Sequence, residues 1–158
     1  MKKILTILLL AVLALSICAC GGNDTAADQE QAAEPAEIVV VDDENITFKI
    51  TGEDTDGFWG YTLNVFIENK TDKNLMFGWE NTVVNGYACD PFWATDVPAG
   101  AKANKEISFS EESFEENGIA LDDAKTIEFT LYAYDDDDWA SDRLIEENFS
   151  FSTDELSK

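Results

Sequence analysis

The sequence predicts an all-β chain, an antiparallel β-sandwich of about seven to eight strands with one short helical turn near 110–117. Three observations carry the prediction. From Ile38 onward apolar residues recur at every second position, the period of a strand with one face on a core and the other in water. Clusters of Gly, Pro, Asn and Asp divide these runs at intervals of roughly ten residues, the spacing of short strands in a sandwich. Helix end signals occur together in one place only, around Ser110 to Gly118.

In chain order, Ile46, Phe48 and Ile50 alternate with Thr47 and Lys49, and Leu63, Val65 and Ile67 alternate with Thr62, Asn64 and Glu68. Ile107 and Phe109 continue the pattern. Ile127, Phe129, Leu131 and Ala133 follow against Glu128, Thr130, Tyr132 and Tyr134, and Phe149 and Phe151 close it. Between the runs, Gly52 to Gly57 reads as an acidic, glycine-flanked turn and residues 69–74 as a polar hairpin connection. Asn85-Gly86 suits a type I′ turn, and Pro98-Ala99-Gly100 breaks the chain again. In "SEESFEENG", Ser110 can cap a helix, Glu111 and Glu112 put negative charge in its first turn, and Gly118 can end it.

Before the strands come a basic start, Lys2-Lys3, and an apolar stretch over residues 4–17. This is shorter than the ~20 residues a membrane span needs and fits the core of an export signal. The stretch ends in Ile17-Cys18-Ala19-Cys20, an aliphatic-x-small-Cys pattern that resembles the lipobox of bacterial lipoproteins. The resemblance implies cleavage before a cysteine whose thiol carries a diacylglycerol. Cys20, preceded by small Ala19, is the expected lipidation site, whereas Cys18 follows β-branched Ile17 and leaves with residues 1–19. Two acyl chains make a lasting anchor, since each buried methylene contributes about 0.8 kcal/mol and one chain holds only marginally. The expected address is therefore extracytoplasmic, lipid-anchored to the bacterial cell membrane. Gly21 rather than Asp after the lipid cysteine argues, again by resemblance, against retention at an inner membrane. Residues 20–37 are the expected lipidated cysteine and acidic linker, because "GGNDTAADQEQAAEPAE" has no aromatic or large aliphatic side chain with which to bury a core. Its mean span is roughly 20 to 25 Å. The sandwich is expected over residues 38–155, with 156–158 as a tail.

Removing residues 1–19 takes two lysines and no acid from ten basic and 33 acidic residues, leaving a net charge of −25. That excess repels nucleic acid and anionic lipid head groups and suits cationic ligands or divalent ions. Cys89, in "NGYACDPF", is the one cysteine left beside Cys20, so no intrachain disulfide framework exists and Cys89 is expected to be a small buried strand residue. The chain contains no histidine. Nucleophilic triads and zinc sites favour that residue, so no catalysis, resident metal or other cofactor is expected.

The segments "ITFKITGEDTDGFWGYTLNVFIENKTDKNL", "VNGY", "VPAGAKANKEISFS" and "FEENGI" together resemble the immunoglobulin-like modules of unknown function on lipoproteins of clostridial-type Gram-positive bacteria. The likeness covers roughly residues 38–155 and implies an immunoglobulin-like sandwich. It brings no catalytic residues, and the Cys…Trp…Cys spacing of antibody domains is missing.

Two local features are candidate sites. The acidic run Asp135 to Asp138 offers oxygens that calcium takes, although an acidic run is more often a solvated loop that discourages edge pairing. The rings of Phe58-Trp59, Trp79, Phe92-Trp93 and Trp139 fall in or near the expected turns. Trp59, Trp93 and Trp139 are the candidate ligand-binding residues, with core plugs as the plainer reading. The expected function is thus a lipid-anchored binding or adhesion-type module of the envelope, a monomeric domain with the membrane and an envelope protein or glycan as partners. Its alternative is a soluble-ligand (glycan or peptide) or calcium-binding lipoprotein using the acidic loops and tryptophans.

Overall fold

The computed structural model describes residues 36–156. The export segment, Cys20 and most of the acidic linker lie outside the described residues. The described residues form an antiparallel β-sandwich of two packed sheets. One sheet has the order β1 (Ile38–Asp42), β2 (Ile46–Asp54), β3 (Thr62–Asn69), β7 (Lys102–Ser108). The other runs β5 (Tyr87–Ala88), β4 (Leu75–Val84), β8 (Thr126–Asp135), β9 (Ile145–Ser152), with β6 (Trp93–Val97) also pairing β4. The strands number nine because β4 is flanked along one edge by two separate pieces, the two-residue β5 and β6.

Three local expectations change. Residues 69–74 are no hairpin connection: β3 and β4 lie in different sheets, so this segment crosses the sandwich. Gly52 lies inside β2, where it follows a register shift against β3, and the strand continues to Asp54. Glycine in a strand marks such irregularities as readily as turns. Trp79 lies mid-strand in β4, buried, and Trp93 begins β6. Asn85-Gly86, by contrast, is the tight turn anticipated, with φ of 51° and 88° between the paired Val84 and Tyr87.

The core follows the period-two residues. Phe48, Ile50, Leu63, Val65 and Ile67 of one sheet face Leu75, Phe77, Trp79, Ile127 and Leu131 of the other, all buried. Each such side chain contributes about 1.5–3 kcal/mol when fully removed from water. Trp79 stacks on Phe129 with ring centroids 3.5 Å apart. Helix α1 (Glu111–Glu116) starts where Ser110 Oγ accepts from the Ser113 amide, and Gly118 with φ 67° ends it. The helix serves to drive Phe114 into one end of the sandwich, against Tyr61 and Phe109. Cys89 is buried one residue past β5, where Asn117 Nδ2 approaches its Sγ at 3.5 Å.

At the other end a single buried side chain ties two crossovers. Asn69 Nδ2 donates to the carbonyls of Lys73 (2.8 Å), Val97 (2.9 Å) and Pro98 (3.1 Å), while its Oδ1 accepts from the Thr71 amide and hydroxyl. The β3–β4 and β6–β7 connections are thereby fixed to each other.

Tyr61 gives the fold a pH dependence. Its ring is fully buried, and its hydroxyl donates to Glu53 Oε2 at 2.6 Å. Burial, then the Glu53 contact, hold its ionisation far above the ordinary 10.0. An unfolded tyrosine ionises near 10, so the neutral buried form adds full stability below that pH. The contribution is lost as pH rises, at up to about 1.4 kcal/mol per pH unit. Urea unfolding between about pH 9 and 11 should show this slope in the parent chain and a shallower one in Tyr61→Phe; parallel slopes would refute the assignment.

Candidate functional site

The three candidate tryptophans do not meet. Trp59 sits in the β2–β3 loop, 72% exposed, its ring edge-on to exposed Phe58 at 4.8 Å. Trp139 lies in the β8–β9 loop, 82% exposed. That loop abuts residues 70–74 through the Asp136 amide, which donates to Asn74 O. Trp59 precedes β3 and residues 70–74 follow it, so Trp59 and Trp139 occupy opposite ends of the sandwich, separated by about 25 Å of strand. Trp93 begins the edge strand β6, half-buried, with its ring turned to the core and edge-on to Phe48 at 6.3 Å.

The acidic run is also divided. Asp135 is committed to Lys73 (2.7 Å) and to the Asp137 amide, and the lysine holds its carboxyl below the ordinary range. Among the described residues no group of three or more His, Cys, Asp or Glu side chains is placed to hold a metal.

What the fold does assemble surrounds Tyr132, on the face of this sheet opposite to the Trp93 ring. Gly78 is the fourth residue of β4, opposite Ala94 of β6 on one side and Tyr132 of β8 on the other. The Tyr132 ring lies across it so closely that a Cβ at 78 would stand 2.0 Å from the ring. Only glycine leaves this space, which is why a strand interior tolerates it here. Tyr132 and Tyr134 stack in parallel at 6.2 Å. Over the Tyr132 ring, 4.1 Å from its centroid, sits the Arg143 guanidinium. It makes a two-pronged bond to Glu80 (2.7 and 3.1 Å) and a third contact to Glu146 (3.0 Å). Partial burial and then Glu80 push the Tyr132 hydroxyl upward.

Beside this platform opens a cleft of about 340 Å³ lined by Glu80, Asp90, Phe92, Trp93, Ala94 and Tyr132. Phe92 is 98% exposed and held at φ 49°, a left-handed conformation rare for aromatic residues. Asp90 Oδ1 accepts from its amide at 2.9 Å and fixes that turn. A strained, fully exposed ring at a concave rim is a feature that folding alone does not reward.

Sequence reasoning placed Phe92-Trp93 among the rings in or near turns but missed Glu80, Asp90, Tyr132 and Arg143. One signal was available: Gly78 between apolar strand residues marks a close approach by another group. Its partner across the sheet was not readable, since Glu80 and Arg143 stand 63 residues apart. The chain matches no protein-family model and no curated protein sequence.

Proposed function

We propose that the chain is a lipid-anchored, extracytoplasmic binding module of the bacterial envelope, non-catalytic, that takes a soluble ligand in the Phe92–Tyr132 cleft. The observation that carries this reading is the cleft itself, concave, rimmed by aromatic rings and carboxylates, and supported by a strained exposed phenylalanine. A concave site with a few convergent polar groups suits a small ligand, whereas a protein partner would call for a broad flat patch. The exposed rings instead fall at separate places on the sandwich. Non-catalytic action is supported by chemistry: histidine is missing from the whole chain, and Cys89 is buried.

The anchor rests on the lipobox-like Ile17 to Cys20. Strand β1 runs antiparallel to β2 and away from the Trp59 end. The native protein's amino-terminal peptide should begin at Cys20 and carry acyl mass; a different start, or no added mass, overturns the anchor. For the cleft, isothermal titration of the full chain with soluble envelope fragments should give a saturable signal that Phe92→Ala weakens. A signal unaffected by that substitution would move the site elsewhere.

A further inference from the structure

We infer that the cleft binds a small organic cation, an alkylammonium or guanidinium group, with the exposed ring of Phe92 as its aromatic wall and Asp90 as its counter-charge. The inference rests on the cleft as binding site and adds the chemical class of its ligand.

The local charge supports it. Glu80 and Glu146 flank the single guanidinium of Arg143, and Asp90 adds a further carboxylate on the cleft lining, so the four groups together carry a net −2. Glu80 and Glu146 are satisfied by Arg143; Asp90 makes no ion pair among the described residues and uses one oxygen to hold Phe92. A carboxylate with spare acceptor capacity beside an open aromatic face is the pairing that recognises ammonium groups, because the ring quadrupole attracts a cation while the carboxylate sets its position. The protein already uses this chemistry within itself: Arg143 lies on Tyr132 while paired to Glu80. The same arrangement argues against a stacked sugar, since the Tyr132 face is covered by Arg143. A volume of about 340 Å³ is at the small end of ligand sites and accommodates a head group rather than a folded chain.

The test is isothermal titration of the full chain with tetramethylammonium at constant ionic strength, in parallel with an oligolysine peptide and N-acetylglucosamine. Tetramethylammonium should bind saturably. Asp90→Asn keeps the acceptor for the Phe92 amide but removes the charge, and should weaken binding about fivefold; Phe92→Ala should weaken it about threefold to fivefold. Arg143→Gln discriminates most sharply: it uncovers Tyr132 and leaves Glu80 unpaired, so affinity for a cation rises, whereas a ligand held by the guanidinium binds less well. Melting curves establish folding, and if Arg143→Gln does not fold, Asp90→Asn decides alone. Absence of saturable tetramethylammonium binding, or tighter binding by Asp90→Asn, overturns the inference. Oligolysine binding without tetramethylammonium binding overturns the free small cation in favour of a basic chain. Phe92-dependent binding of the neutral sugar alone overturns the cation while leaving the cleft as the site.

Discussion

Asn69→Asp should destabilise the domain by about 3–5 kcal/mol at pH 7, the cost of an uncompensated buried charge. The substitution is nearly isosteric, so packing is not the cause. Asn69 is fully buried, and its amide nitrogen faces the carbonyl oxygens of Lys73, Val97 and Pro98. A carboxylate there meets three acceptors with no proton to offer. Burial and this ring of oxygens raise the pKa of the introduced acid above its unfolded value near 3.9. Relative to the parent, the variant is therefore least impaired below that value. It loses stability as pH rises, at about 1.4 kcal/mol per unit, until the folded-state pKa is passed. Urea unfolding at about pH 4 and pH 7 measures both ends. An equal penalty at the two pH values would mean that Asn69 acts through shape and that the two crossovers are held by something else.

Phe48→Ala is the second large effect, with an expected loss of about 3–5 kcal/mol and an unchanged denaturant slope. Phe48 is fully buried in β2, with the Trp79 ring 6.4 Å away and the Trp93 ring 6.3 Å away on the facing sheet. It is the contact through which one sheet supports Trp93, at the start of β6, on the other. Truncation should therefore also loosen Trp93 and shift its fluorescence to longer wavelength. A loss below about 1 kcal/mol would show that the site collapses readily and that Trp93 is positioned by β4 alone.

Much of the fold was legible because strand periodicity is local. Ile46 to Ile50, Leu63 to Ile67 and Ile127 to Ala133 each reveal a buried face within a few residues, and all of those odd or even sets lie in the core. The helix was legible for the same reason, as Ser110 caps a turn only three residues away. Legibility failed where a local signal has two meanings. Asn69 to Asn74 has the composition of a hairpin loop, yet the same residues make a crossover because Asn69 finds its partners in the β6–β7 turn. Gly78 has the look of a break in "LMFGWENTVV", and the strand continues through it because Tyr132 of β8 fills the space.

The candidate tryptophans illustrate the same limit. Their number and polar neighbours are properties of the sequence, but whether Trp59, Trp93 and Trp139 share a surface depends on which loops lie at which end, and the β2–β3 and β8–β9 loops lie at opposite ends while Trp93 starts the edge strand β6. The cleft forms instead where β4, β6 and β8 run side by side and the β8–β9 loop returns Arg143 over the sheet. By itself the sequence determined the class of fold, the acidic excess, the lone Cys89 of the domain and the want of a histidine base, because these depend on composition and short-range period. Only the tertiary structure decided that Glu80, Asp90, Phe92, Tyr132 and Arg143 form one surface, because sheet register and loop return join residues that no local pattern relates.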